Sequence, residues 1–95
     1  MLPMIITRHT ALVAYLIEIG LATSDTQVIT HASADDVRGM DVIGVLPMHL
    51  AAEARSITIV DLQIPPAERG KELTIEDIRE YVRGISTYEV RRSNK

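Results

Sequence analysis

The chain has 95 residues, the size of one small domain, with no room for a second hydrophobic core. It contains no cysteine, which excludes disulfides and thiolate metal sites. Its formal net charge of −3 argues against a broad electrostatic surface for nucleic acid. Most of its basic residues are nevertheless arginines, the residue type suited to forked phosphate contacts.

Apolar residues make up 46% of the chain, a large share for a small protein without a membrane-spanning run. We expect a homodimer interface to bury the excess, although a parallel sheet covered on both faces gives the same composition. The amino terminus lacks the basic and long apolar regions of a secretory signal, so we expect a cytoplasmic protein. With no Phe or Trp and three Tyr, the chain has no aromatic platform for long nucleic acid strands, and neither these nor a membrane are predicted partners.

The first third of the chain alternates strand-like and helix-like patterns. Residues 4–7 predict a short apolar strand. Residues 10–19 carry apolar side chains at helical spacing, and Gly20 is the expected C-terminal stop. Residues 27–30 predict a second strand.

A polar segment, residues 32–40, separates the second strand from the third. Ser33 followed by Asp36 approximates a capping box, which favours a single helical turn here. The segment is close to the shortest length that joins parallel strands, so this crossover is the weakest step of the predicted topology.

The middle of the chain continues the alternation. Residues 41–46 predict a third, apolar strand. Pro47 suits the first position of a short helix over residues 48–54. Residues 56–62 are rich in β-branched side chains and predict a fourth strand.

The last third begins with a long loop and ends with a helix. Thr74 with Asp77 three residues later is expected to cap that helix. Residues 87–90 are a candidate last strand, and residues 91–95 are expected to form a frayed tail of the single domain 1–95. The loop is marked by Pro65, Pro66 and Gly70, and the apolar stripe of the helix consists of Ile75, Ile78, Val82 and Ile85.

Strands that alternate with helices predict an α/β fold: a compact Rossmann-like, mostly parallel sheet flanked by helices. In such a sheet the carboxyl ends of parallel strands share one edge, and ligands bind in the crevice outside it. The residues that follow each predicted strand are therefore the first candidates for a site.

The segment Thr7-Arg8-His9-Thr10 runs from the first strand directly into the first helix. Free backbone N–H groups and the helix dipole favour an anion at such a helix start. Arg8 adds a bidentate phosphate contact, and the hydroxyls of Thr7 and Thr10 add hydrogen bonds. The segment predicts a phosphate site, and the rival interpretation is that Thr10 caps the helix while Arg8 and His9 lie on the surface.

All three histidines, His9, His31 and His49, follow predicted strands. Near the start of the short helix after Pro47, the dipole favours a neutral His49 imidazole that accepts a proton. A half-buried structural histidine is an equally good interpretation of His49. His31, which is followed by Ala32 and Ser33, has the weakest case.

A metal site is not predicted. Three imidazoles with an open fourth position describe one type of zinc site, but here they come from three separate loops without a characteristic spacing. The neighbouring Arg8 would also repel a cation. The chain has no Gly-rich phosphate loop and no G-x-G-x-x-G after the first strand, so no nucleotide cofactor is predicted either.

The loop before the last helix contains Arg69-Gly70-Lys71-Glu72-Leu73. As a lid over the same edge it would bring Arg69 and Lys71 to the ligand, but an ordinary exposed turn is the interpretation that we favour. Arg79 and Arg83, four residues apart, are expected to pair with the glutamates at positions 76 and 80 on the polar face of the last helix.

These motifs together resemble a family. Thr7-Arg8-His9-Thr10, then Gly44-Val45-Leu46-Pro47 with His49, then Arg69-Gly70-x-Glu72-Leu73 are similar in order and spacing to the CRISPR-associated x-sixteen proteins, a small accessory family of type III CRISPR systems. The resemblance covers nearly the whole chain. It implies a Rossmann-like fold similar to the nucleotide-sensing CARF domains, acting as a dimer.

The resemblance also implies a ring nuclease, which degrades the cyclic oligoadenylate messenger, here cyclic tetra-adenylate, and switches off the CRISPR ancillary response. No catalytic set is carried over from the family, so the site assignments come from the residues above. A sensor or sequestering protein that binds the ring without cleaving it is the alternative. We predict Arg8, His9 and His49 as catalytic residues, with His9 or His49 as the base, and Thr7, Thr10, His31, Ser33, Pro47 and Arg69 as ligand-binding residues.

Overall fold

The computed structural model describes residues 3–93 and shows one five-stranded sheet in the order β2-β1-β3-β4-β5. Neighbouring strands are parallel except at one edge, where β5 runs antiparallel to β4. The predicted α/β class, a mostly parallel sheet flanked by helices, is confirmed. The strands are β1 (Met4–Ile6), β2 (Val28–Ile29), β3 (Asp41–Gly44), β4 (Ser56–Leu62) and β5 (Val82–Tyr88).

Four α-helices lie in two layers on the faces of this sheet, as far as residues 3–93 are concerned. On one face, α1 and α4 pack against each other over a core that contains Ile5, Leu16 and Ile78, all fully buried. On the other face, where the helices are shorter, Val37 and Val42 are buried in a second apolar cluster. The helices are α1 (Thr10–Glu18), α2 (Ala34–Val37), α3 (Met48–Ala51) and α4 (Ile75–Tyr81), with a 3₁₀ turn at Pro66–Glu68.

The strand order reverses direction between β1 and β3. From β1 the chain goes to β2 on one side of it and then crosses back to β3 on the other side. The short connection between β2 and β3 contains α2. In open α/β sheets the crevice outside the carboxyl ends of two such strands is the usual ligand site. The topology therefore selects the ends of β1 and β3 as the place to examine.

The short-range predictions are confirmed. Ser33 and Thr74 each form a reciprocal capping box, with Asp36 and Asp77 respectively. Gly20 follows α1 with φ of 83°, a left-handed conformation that ends the helix at low cost. Three or four residues decide each of these features, which is why the sequence alone predicts them.

The end of the last helix is predicted wrongly. α4 ends at Tyr81, and the following strand, Val82 to Tyr88, pairs with Ile57 to Leu62 of β4. The spacing of Val82 and Ile85 is compatible with a helix or with a strand. Hydrogen-bonded pairing with β4 stabilises the strand. The last strand is consequently longer than residues 87–90, and Arg83 lies on a strand instead of a helix.

Smaller corrections concern the bounds. The third strand ends at Gly44, and α3 stops at Ala51 because turns follow it before β4 begins. Pro47 is the residue before α3 and not its first helical residue. Residues 89–93 carry no regular secondary structure, and the remainder of the predicted tail, residues 94 and 95, lies outside the described residues.

Candidate functional site

The connection between β1 and α1 leaves the helix start open to a ligand. His9 is the N-cap residue, and its backbone N–H donates to Thr7 Oγ1 at 3.1 Å. Thr10 is the first helical residue and not the cap that the surface interpretation requires. No side chain caps α1, and no acidic residue lies in its first turn. The positive end of this helix is therefore available to an anion.

Two cavities meet at Arg8 and His9. The first, which we call the charged cavity, has a volume of about 430 Å³ and is lined by Arg8, His9, Thr10 and the loop before α4. The second, which we call the apolar slot, has a volume of about 330 Å³ and lies at the ends of β1 and β3, the point selected by the topology. Its apolar lining consists of Ile6, Leu12, Val45, Val60 and Leu62.

The loop before α4 has an exposed turn at its tip, residues 69–72. Leu73 is buried and Ile64 packs against the core, so both ends of the loop are anchored. Between these anchors Arg69 and Lys71 line the charged cavity together with Arg8, so the exposed turn favoured from the sequence borders the candidate site. Lys71 Nζ lies 3.4 Å from a carboxylate oxygen of Glu68.

Arg8 is exposed and has one side-chain partner. Its Nη2 lies 3.2 Å from Nε2 of His31, the histidine that follows β2. A guanidinium has only donors, so His31 accepts this bond through an unprotonated Nε2. The contact joins the segments after β1 and β2 and holds Arg8 at the cavity.

The arginines at the two edges of the sheet differ in their partners. At the amino-terminal edge, Arg55 makes two hydrogen bonds to Asp41, of 3.0 and 2.8 Å. The Ser56 hydroxyl and then Arg55 hold the pKa of Asp41 below its usual range. At the carboxyl edge, neither Arg8 nor Arg69 has an ion pair with any carboxylate of residues 3–93. Their charge is free to bind an anionic ligand.

Arg79 of the last helix, α4, does not line the candidate site; its ion pair with Glu18 joins α4 to α1, and we call this ion pair the clamp. Arg79 pairs with Glu18 of α1 and lies 3.8 Å from Glu76, so the predicted partner is the weaker of its two. Arg83 donates to the main-chain carbonyls of Glu80 and Val82 and not to the Glu80 carboxylate.

Three predicted site residues lie elsewhere. Ser33 accepts from the Asp36 backbone at 3.3 Å as the cap of α2, while Pro47 and the exposed His49 belong to the segment at α3. None of the three lines the charged cavity or the apolar slot. α3 has four residues, too few for a strong dipole at His49.

The site also contains residues that sequence reasoning missed. Glu68 and Glu72 line the charged cavity beside its cations. The apolar slot is lined by side chains from β1, β4 and α1 and by Val45, the residue after β3. The only local signal for the slot is that apolar residues continue to the carboxyl ends of the strands. Within the described range, no group of three or more His, Asp or Glu side chains is arranged to hold a metal ion.

Comparison with known proteins gives one match. The model of the family described as "Putative CRISPR-associated protein (Cas_VVA1548)" matches residues 4–91. Neither the search of curated proteins nor the search of solved structures found a match. Among residues 3–93 no helix is long and apolar enough to cross a membrane.

Proposed function

Because the chain belongs to this family of CRISPR-associated proteins, we propose that it is a metal-independent ring nuclease of cyclic tetra-adenylate. It would open the ring to linear products with a 2′,3′-cyclic phosphate and so switch off type III CRISPR ancillary signalling in the cytoplasm. The observation that carries the proposal is the meeting of the apolar slot and the charged cavity at Arg8 and His9. An adenylate presents one apolar part and one anionic part, which suit the two neighbouring cavities.

The two cavities would bind different parts of the same nucleotide. An adenine base fits the apolar slot, where Val45, Val60 and Leu62 supply apolar contact. The phosphodiester then lies in the charged cavity, where Arg8 forms charge-assisted hydrogen bonds. The start of α1 adds backbone N–H groups and the Thr10 hydroxyl.

Cleavage requires a proton acceptor and charge stabilisation. The ribose 2′-oxygen attacks phosphorus, the bond from phosphorus to the 5′-oxygen breaks, and a 2′,3′-cyclic phosphate remains. The His9 imidazole takes the 2′-hydroxyl proton, and the leaving 5′-oxygen takes a proton from water. A positioned base contributes about 10²–10⁴-fold to the rate. Arg8 and the amides of α1 stabilise the charge that develops on the phosphate oxygens.

His9 is a better candidate for the base than His49, since it lines both cavities and His49 lines neither. The remaining role of His31 is to hold Arg8. We include a homodimer and a CARF-like relationship in the proposal, since a two-fold dimer presents two copies of the site to a ring of matching symmetry.

Product analysis tests this function. The protein is incubated with cyclic tetra-adenylate in EDTA, and the products are separated by chromatography. Linear adenylates that end in a 2′,3′-cyclic phosphate are the expected result. Recovery of intact ring from a tight complex would overturn the nuclease proposal.

A second candidate function is a non-catalytic binder that senses or sequesters the same ring. It is favoured by one observation: His9 is exposed, and within residues 3–93 its imidazole has no hydrogen-bond partner to orient it. Activated bases are usually held by a third group. Such a binder needs Arg8 and the apolar slot but is indifferent to His9.

A further inference from the structure

The antiparallel direction of β5 brings another arginine to the carboxyl edge of the sheet. Leu62, the last residue of β4, pairs with Val82, the first residue of β5, and Asp61 pairs with Gly84. Arg83 lies between these two pairs, at a register shift where it faces no residue of β4. Arg83 therefore lies at the edge that Arg8 and Arg69 occupy.

A third cavity, of about 440 Å³, lies at Arg83 and adjoins the charged cavity. The two cavities share Arg69 and Ile64 in their linings and are therefore neighbours, and together we call them the cleft, which is lined by Arg8, Arg69 and Arg83. The third cavity has no acidic side chain in its lining, which otherwise consists of Leu62, Gln63 and Pro65.

The Arg83 side chain is fixed by hydrogen bonds to neutral main-chain groups, which leave its positive charge uncompensated. Its Nη1 donates to the main-chain carbonyls of Glu80 at 2.9 Å and Val82 at 3.2 Å. Nε and Nη2 make no hydrogen bond within residues 3–93, so they remain available to a ligand.

The arginine ion pairs of the described chain involve arginines outside the cleft. Arg38 pairs with Asp35, Arg55 with Asp41, and Arg79 with Glu18, whereas Arg91 and Arg92, near the end of the described residues, have no carboxylate partner. The three arginines of the cleft have none. Glu68 and Glu72 also line the charged cavity but form no ion pair with these arginines, and three arginines free of such pairs suit a ligand with successive phosphates.

We propose that the third cavity is a second phosphate subsite, in which Arg83 and Arg69 bind the phosphodiester that follows the one at Arg8. This inference rests on the proposed function, because it takes the ligand to be a cyclic oligoadenylate. The subsite extends the cleft beyond one nucleotide and favours a ring or chain with several phosphates over a mononucleotide.

Binding of cyclic tetra-adenylate to the full chain tests the subsite. The dissociation constant is measured in EDTA at several salt concentrations for wild type, Arg83→Ala and Arg55→Ala. The matched control removes one arginine from the opposite edge of the sheet and changes the net charge equally. Arg83→Ala is expected to weaken binding about tenfold. It should also reduce the slope of log Kd against log salt by about 0.7.

A second variant covers the case in which Arg83→Ala does not fold. Arg83→Gln removes the charge but keeps an amide donor for the carbonyls of Glu80 and Val82, and it is expected to show the same loss. Circular dichroism verifies the fold of each variant.

The outcomes separate the subsite from the function. If the Arg83 variants bind the ring as tightly as Arg55→Ala does, with the wild-type salt slope, the subsite is overturned and the proposed function stands. If wild type does not bind the ring at all, the proposed function fails and the subsite fails with it.

Discussion

At the scale of single residues, Arg8 holds the central position of the cleft. It lines both the charged cavity and the apolar slot, and its one side-chain partner is the His31 imidazole. Since a neutral imidazole leaves the guanidinium charge uncompensated, the bond to His31 positions Arg8 without weakening its attraction for phosphate.

Replacement of Arg8 by Ala is expected to lower binding and turnover together. The loss should be about tenfold or more in Kd, because a charged hydrogen bond to phosphate disappears. Turnover should fall about 10²–10³-fold, because the same group stabilises the transition state. Calorimetry and single-turnover cleavage check the two effects, with Arg55→Ala as control. Unchanged turnover would remove Arg8 from the site.

The two candidate bases make opposite predictions. His9→Ala should slow cleavage about 10²–10⁴-fold with little change in Kd, because a base acts in the transition state and adds little to ground-state binding. His49→Ala should leave both quantities near wild type, since His49 lines neither cavity. Single-turnover rates and Kd values for both variants show which histidine is the base. Loss of rate in His49→Ala alone would transfer the role of base to His49.

At the scale of elements, sequence reasoning succeeds where a few consecutive residues decide the structure. The segment Thr7–Thr10 joins a strand to a helix, so its place at the carboxyl edge follows from the order of elements alone. The sequence leaves open whether Arg69 belongs to a lid over this edge or to an exposed turn, and it wrongly places Arg83 on a helix. The position of Arg69 depends on the burial of Leu73 at a distance from it, and the position of Arg83 depends on pairing between β4 and β5.

The approach of β1 to β3 requires glycine at position 44. Gly44 has φ of 146°, and a Cβ there would lie within 3.0 Å of the carbonyl oxygen of Ile6. Gly44→Ala is therefore expected to lower the free energy of unfolding by about 2–4 kcal/mol. Thermal unfolding should show a fall in Tm of at least about 10 °C. Gly84→Ala is the control, since a Cβ there meets no atom within 4 Å, and equal Tm values for the two variants would contradict the account.

The stability that the clamp between α1 and α4 adds to the fold should depend on pH. The hydrogen bond from Arg79 lowers the pKa of Glu18, so the clamp stabilises the fold above the ordinary glutamate pKa of about 4.3 and is lost as the pH falls through the lowered value. Glu18→Gln should thus lower Tm at pH 7 and make less difference at pH 3.

Thermal unfolding at both pH values checks this prediction. Glu80→Gln is the matched control, because it removes an exposed carboxylate of α4 that has no ion pair in the described chain. A Glu18→Gln effect that grows toward acid would contradict the expected sign.

At the scale of the whole molecule, one face of the sheet is incompletely covered. α2 and α3 have four residues each, and Val37 of α2 belongs to the buried cluster that contains Met4 of β1 and Val42 of β3. Beside them an apolar groove of about 250 Å³ contains Met48 and Tyr88, which are 76% and 51% exposed. Exposed apolar patches mark interaction surfaces, and this groove is where the proposed homodimer would bury the excess of apolar residues.

Met48→Glu tests the dimer, because a charge in the groove would have to lose its hydration on association. Wild type is expected to be dimeric at micromolar concentration and the variant monomeric, as measured by light scattering after gel filtration. Ser24→Glu, a substitution on the exposed loop before β2, should leave the dimer intact. A monomeric wild type, or a dimeric Met48→Glu, would contradict the assignment.

The central claim is that the groups of this cleft cleave the ring through its own ribose 2′-hydroxyl. The most direct test compares cyclic tetra-adenylate with its 2′-O-methylated analogue in EDTA, under single-turnover conditions with wild-type protein. The account predicts that both rings bind and that only the unmodified ring is opened. Cleavage of both rings at equal rates, or of neither, would contradict it.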